Sequence, residues 1–294
     1  MSDLFVAMIV LERPAILRPE ALIAELRRQR PDFPGKIEVS GRPEVGGGFL
    51  LALGSDLLTV VALDAPLRAG MLDAAIAANA LWPEAGRVLC KHRAHVIVAS
   101  LRKPGDFAGR LAAAAGVTRV CAAIAVLTLS LGVYWMPSEA VHEANTFRAA
   151  AAKMSEGDWP IDLWVRLRLF KGKVEGRAVS IGCATIGLAG FVGREIEFEP
   201  AFLPPAIVAQ WVRGTALYLL AQGPALKHGD TLGVGPMERI RIEHADKSEC
   251  ASLPISRLTP SLRGESDPIL TFPPLPPPSR GVEATAFADQ NGLI

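Results

Sequence analysis

The chain has 294 residues, half of them hydrophobic, with 31 basic and 30 acidic side chains and a formal charge of +1. That length and apolar content suffice for one large or two modest packed domains, and the balanced charge gives no electrostatic reason to expect nucleic acid or an anionic membrane as a partner. The four cysteines, Cys90, Cys121, Cys183 and Cys250, form no CxxC pair, a distribution that suits reduced thiols in a cytoplasmic protein better than a disulfide framework or a metal site.

In chain order, Leu4–Leu11 reads as a buried strand rather than a signal peptide, because no basic segment precedes it and no small-residue cleavage site follows. Pro19–Arg28 is an amphipathic helix and Lys36–Ser40 a short strand. Phe49–Leu53 and Leu57–Leu63, separated by Gly54-Ser55-Asp56, have the pattern of a hairpin. Apolar residues at helical spacing from Leu67 to Trp82 predict a helix ended by Pro83. Ala94–Leu101 is a Val/Ile-rich strand, and Asp106 opens an alanine-rich helix reaching about Val126. The uncharged stretch Val120–Met136 is shorter than a membrane-spanning helix requires and changes character at Thr128, so it reads as a buried helix followed by a buried strand.

The second half repeats the same order: strand Leu129–Trp135, helix Ser138–Met154, strands Asp162–Phe170, Arg177–Ile186 and Arg194–Glu199, helix Pro204–Leu220 and strand Arg239–His244. A shift of 136 residues aligns Leu67 with Leu203, Ile76 with Val212 and Trp82 with Tyr218. The expectation is an α+β protein of two similar βαβββαβ halves with mixed or antiparallel sheets, joined by the buried alanine-rich helix. The divisions are residues 1–103, 104–128 and 129–248, with 249–294, including the run Pro273-Pro274-Leu275-Pro276-Pro277-Pro278, as a disordered proline-rich tail.

Three clusters could carry chemistry. His92 and His95 flank the start of a strand, where a spacing of three sends side chains to opposite faces. His95 could serve as a general base if a carboxylate oriented it, and the plainer reading is that it satisfies backbone groups. Glu195, Glu197 and Glu199 alternate with Ile196 and Phe198; they read first as the solvated face of an edge strand, and otherwise as an acid/base or cation site. His228 and Asp230 lie in the glycine-rich run Gly223–Gly235, which reads as a tight turn before a strand, because no phosphate-loop spacing is present. No HExxH, GxSxG or GxGxxG motif occurs, and Gly46-Gly47-Gly48 reads as a connection.

Six phrases in order carry a resemblance: Leu81-Trp82-Pro83; His92-Arg93-Ala94-His95-Val96-Ile97-Val98; Gly132-Val133-Tyr134-Trp135; Leu163-Trp164-Val165; Gly187-Leu188 with Glu195-Ile196-Glu197; and Gly229-Asp230-Thr231-Leu232-Gly233. Together, over residues 4–246, they resemble a bacterial family known as domain of unknown function 4261. The resemblance implies that His95, Trp135, Trp164, Glu195 and Asp230 stand at signature positions, and it brings no reaction and no cofactor.

The leading expectation is a non-enzymatic binding or accessory protein of the bacterial cytoplasm with a protein partner, no nucleic acid, no membrane, no metal and no cofactor. Its binding candidates are Trp135, Trp164 and His228. The alternative is a hydrolase with His95 as base, Asp230 or Glu195 as orienting or metal-binding carboxylate and a pocket shaped by the glycine-rich loop.

Overall fold

The computed structural model describes residues 4–33, 35–41, 48–103, 105–235, 238–247, 253–261 and 269–271. The chain divides into two compact units, Met1–Trp164 and Val165–Ile294.

The first unit is built around strand β1, Val6–Leu11, which has no polar residue and is buried almost throughout. A strand of that composition needs a neighbour on each edge, and β1 has antiparallel partners on both: β5, Ala94–Ser100, and β6, Ser130–Trp135. With β2 (Ile37–Gly41), β3 (Gly48–Leu53), β4 (Asp56–Leu63) and β7 (Ala140–Glu143) the sheet runs β2-β3-β4-β5-β1-β6-β7, antiparallel at every joint.

Helix α4, Phe107–Leu127, lies across one face of this sheet. The Asp106 carboxylate accepts from the Gly109 amide at 2.8 Å and caps its start. Apolar residues surround its axis, which suits a helix with neighbours on every side: the sheet beneath, α1 (Pro19–Gln29) and α5 (Ala144–Lys153). By length and hydropathy α4 could cross a membrane, but 72% of its apolar window is buried within the fold.

On the other face two five-residue helices, α2 (Asp73–Ala77) and α3 (Ala85–Leu89), cover Met8, Val10 and Val141. The Asn79 side chain fixes the turn between them, accepting from the Leu81 and Trp82 amides and donating to Val141 O at 2.7 Å. Further along that face Leu50, Leu57, Val61 and Ile97 remain half-buried, whereas Leu51, Leu58, Val60, Val96 and Val98, which point toward α4, are buried.

The second unit holds a mixed sheet: β8 (Arg166–Glu175), β9 (Ala178–Ile186), β10 (Glu195–Ala201), β11 (Thr231–Gly235), β12 (Glu238–Ala245), β13 (Ile255–Ser261) and β14 (Ile269–Thr271), in the order β14-β11-β12-β13-β10-β9-β8. β13 runs parallel to β10 and β14 parallel to β11, while the remaining joints are antiparallel. Helix α8, Pro205–Gln222, packs on β8, β9 and β10, with the Trp211 ring 5.6 Å from that of Phe198.

The protein is therefore α+β, with one antiparallel and one mixed sheet. Its internal boundaries differ from those read in the sequence. The division falls after Trp164 and not at residue 129, because β6 hydrogen-bonds to β1 and completes the first sheet. The alanine-rich helix accordingly links β5 to β6 inside the first unit and does not join two halves.

The helix read over residues 138–154 is a 3-10 turn, Met136–Ser138, then β7, then α5. The helix read over 67–82 resolves into the five-residue α2 and the Asn79 turn, which breaks its alignment with the 18-residue α8. Within the stretch read as a disordered tail, Ile255–Ser261 and Ile269–Thr271 are instead strands of the second sheet. Cys250 and the proline run at 273–278 lie outside the described residues.

Candidate functional site

His95 and His92 act on the same stretch of backbone. β4 and α2 are joined through Ala65-Pro66-Leu67, where the turn leaves polar groups unpaired and Pro66 offers no N–H. His95, buried on β5, places Nδ1 2.8 Å from Ala65 O. His92 accepts from the Leu67 amide through Nε2 at 3.0 Å and places Nδ1 2.6 Å from Leu89 O. The latter pair of contacts requires a neutral ring with its proton on Nδ1. The alternation expected for residues three apart does not apply, because His92 precedes the strand, in the turn after α3.

Trp135 and Trp164 are packing residues, each wholly buried. Their rings stack at 6.4 Å and 19°, with Trp159 stacked on Trp164 at 5.6 Å and Phe5 6.3 Å from Trp135. Trp164 Nε1 donates to the Thr118 hydroxyl of α4 at 2.8 Å, and that hydroxyl donates to Ala114 O at 2.8 Å. Trp135 Nε1 meets no partner among the described residues.

Glu195 is a buried carboxylate of the second unit that accepts four hydrogen bonds. Oε1 accepts from the Gly187 and Ala189 amides at 2.8 and 3.1 Å, and Oε2 from the Thr185 hydroxyl and Leu188 amide at 2.6 and 3.2 Å. These donors run from Thr185, near the end of β9, through the turn at Gly187 and Leu188 to the first residue of the short helix α7, Ala189–Val192. The side chain thus closes that turn from beneath. Burial pushes its carboxyl above the ordinary range, against the four donors that pull it down.

Glu197 is also buried, with Oε1 3.8 Å from Arg257 Nε and Oε2 unpaired among the described residues. The solvated edge expected for these glutamates is not found at either, because β10 lies between β9 and β13; Glu199 is the exposed member.

Asp230 accepts from the Lys227 amide through Oδ2 at 2.7 Å. The main chain beside it bonds to β12, Gly229 N to Ile242 O and Ile242 N to Asp230 O, both at 2.8 Å. Gly229, at φ +90°, makes the left-handed turn that an L side chain would strain. His228 accepts from the His244 amide through Nδ1 at 3.1 Å, and the two rings lie 6.3 Å apart. Burial, with Arg194 and His228 nearby, holds His244 below its ordinary value.

His95 thus belongs to the first unit, and Glu195, at the start of β10, and Asp230, in the turn before β11, to the second, each engaged by main-chain groups of its own unit. Among the described residues no three His, Cys, Asp or Glu side chains are placed to hold a metal ion. Burial raises the Cys183 thiol to about 12 and Cys121 higher still, so neither supplies a thiolate near neutrality, while Cys90 is exposed.

The sequence reading passed over one residue, His142 on β7. Burial lowers its ring to about 4, outweighing the Leu163 backbone and the Asp162 carboxylate, which both raise it. Its only sequence signal, a polar residue in Val141-His142-Glu143, was absorbed into the helix read over 138–154.

These features define an α+β protein whose polar side chains, at the positions singled out by sequence, brace its turns. Residues 184–255 match the model of a family described as Domain of unknown function (DUF4261). The stretch runs from the end of β9 through β10, α8, β11 and β12 to the first residue of β13. It is the family read from the six phrases, matched over a shorter length. No curated protein and no solved structure matches the chain.

Proposed function

We propose that this is a non-enzymatic binding or accessory protein of the bacterial cytoplasm that acts on a protein partner, without nucleic acid, membrane or cofactor. One observation carries the reading: His95, Glu195 and Asp230, the side chains that would form a hydrolytic site, spend their hydrogen bonds on main-chain groups of three separate turns. A catalytic base or orienting carboxylate needs lone pairs directed at a reacting group. Here the Glu195 and Asp230 lone pairs hold backbone amides, and the His95 Nδ1–H is given to the Ala65 carbonyl.

The test is thermal unfolding of His95→Phe, Glu195→Gln and Asp230→Ala beside the parent chain. Turn-bracing residues predict a lower melting temperature for each, because each change leaves a main-chain group without its partner. Residues kept for chemistry at the expense of stability predict unchanged or higher melting temperatures. That second pattern would revive the hydrolase.

A further inference from the structure

β7 is an edge strand of the first sheet, and His142 stands on it opposite Val133, its ring 6.1 Å from that of Phe147 on α5. The ring is hydrogen-bonded to the backbone of Leu163, while Nε2 is shut off from solvent and has no partner among the described residues. A neutral imidazole has one donor and one acceptor. The donor serves the Leu163 carbonyl, and the unused acceptor faces packed side chains at modest cost. Protonation turns that nitrogen into a charged N–H with nothing to receive it, which is far more costly.

Leu163 belongs to α6, Ile161–Trp164, a single turn whose Leu163 and Trp164 amides both bond to Pro160 O, at 2.9 and 3.3 Å. So short a helix has little stability of its own. It is kept in place by Trp164 stacking and by contacts such as that from His142.

The charged neighbours do not cancel this effect. The Leu163 bond and the Asp162 carboxylate, both on α6, favour the charged ring, but burial outweighs them. Glu143, next along β7, has its carboxylate committed to the start of α5, where Oε2 accepts from the Thr146 amide at 2.7 Å. α5 presents Phe147 to the ring, and α4 contributes the Thr118 hydroxyl that holds Trp164.

We propose that His142 is a proton-operated latch on α6: neutral, it sits buried and clasps the α6 backbone beside β7; charged, it is driven out to water despite its bond to Leu163, and Ile161–Trp164 leaves the core. The segment released is the one that leads into the second unit.

The experiment is amide hydrogen exchange of the full chain between pH 8 and pH 5, corrected for the intrinsic pH dependence of exchange, followed at Leu163 and Trp164 with the α4 amides as internal reference. With the ring at 6.5 when released and about 4 when latched, opening at Leu163 and Trp164 becomes about 30-fold more frequent at pH 5 than at pH 8, while α4 stays protected. His142→Phe, which fills the space without a titrating nitrogen, abolishes the extra pH dependence. If that variant does not fold, the contrast between α6 and α4 within the parent chain decides alone. Exchange at Leu163 and Trp164 that only tracks α4, or that keeps the same pH dependence in His142→Phe, overturns the latch.

Discussion

His142 and Glu195 show opposite ways of burying a titratable group. Glu195 is surrounded by donors, and a glutamine in its place must turn its amide toward at least one backbone N–H: on the Oε2 side Thr185 Oγ1 already accepts from the Ile196 amide, so the Leu188 amide loses its acceptor. Glu195→Gln is expected to destabilise the second unit by about 1–3 kcal/mol, read as a lower urea midpoint at unchanged slope. Among the described residues His142 has no partner at Nε2, and its effect appears with acid. Its folded value of about 4 lies below the ordinary 6.5, so the unfolded or released form takes up a proton first. The stability it permits is complete above pH 6.5 and is lost as the pH falls toward 4, by up to about 3 kcal/mol. Chemical denaturation at pH 7.5 and pH 5 measures this, and His142→Phe removes that part of the difference.

Among the elements, those formed by local pattern were legible in the sequence and those decided by distant partners were not. β1, β5 and α4 were read within a residue or two, because an uninterrupted apolar run or an alanine-rich stretch behind a capping aspartate has few alternatives. Segment 138–154 was misread because Ala140–Glu143 has no strong strand signature and becomes a strand by pairing with β6. The phrases at His95, Trp135, Trp164 and Glu195 were visible as unusual, but whether each residue faced a ligand or a main-chain group depended on Ala65, Thr118 and Gly187, which pattern alone does not bring near.

The joint between β6 and β7 also gives a test. A Cβ on Gly132 would lie 2.7 Å from His142 O and 3.2 Å from both Leu89 and Trp82 side chains. The closest of these atoms is backbone and cannot swing aside. Gly132→Ala is expected to cost about 1–3 kcal/mol, with the amides of β7 losing exchange protection before those of β1.

At the scale of the molecule, the second unit depends on chain that composition alone would assign to a tail. Ile255–Ser261 lies between β12 and β10, paired along both edges. Ending the chain at residue 252 removes it and leaves two central strands with open edges; the expected result is loss of the second unit's cooperative melting transition by calorimetry. Ending the chain at residue 271 keeps every described strand, and that transition is expected to persist. A pair of truncations that behave alike contradicts the role given to β13.

The late position of β13 also sets an order of events during synthesis. Every strand of the first sheet is translated by Glu143, so that unit can close while the ribosome is still at work, as N-terminal domains commonly do. The second sheet has no such freedom. β10 and β12 must wait with facing edges unsatisfied until Ile255–Ser261 emerges to fill the gap between them, and throughout that interval the nascent chain offers a strand-wide slot that a chaperone or a neighbouring copy can occupy first.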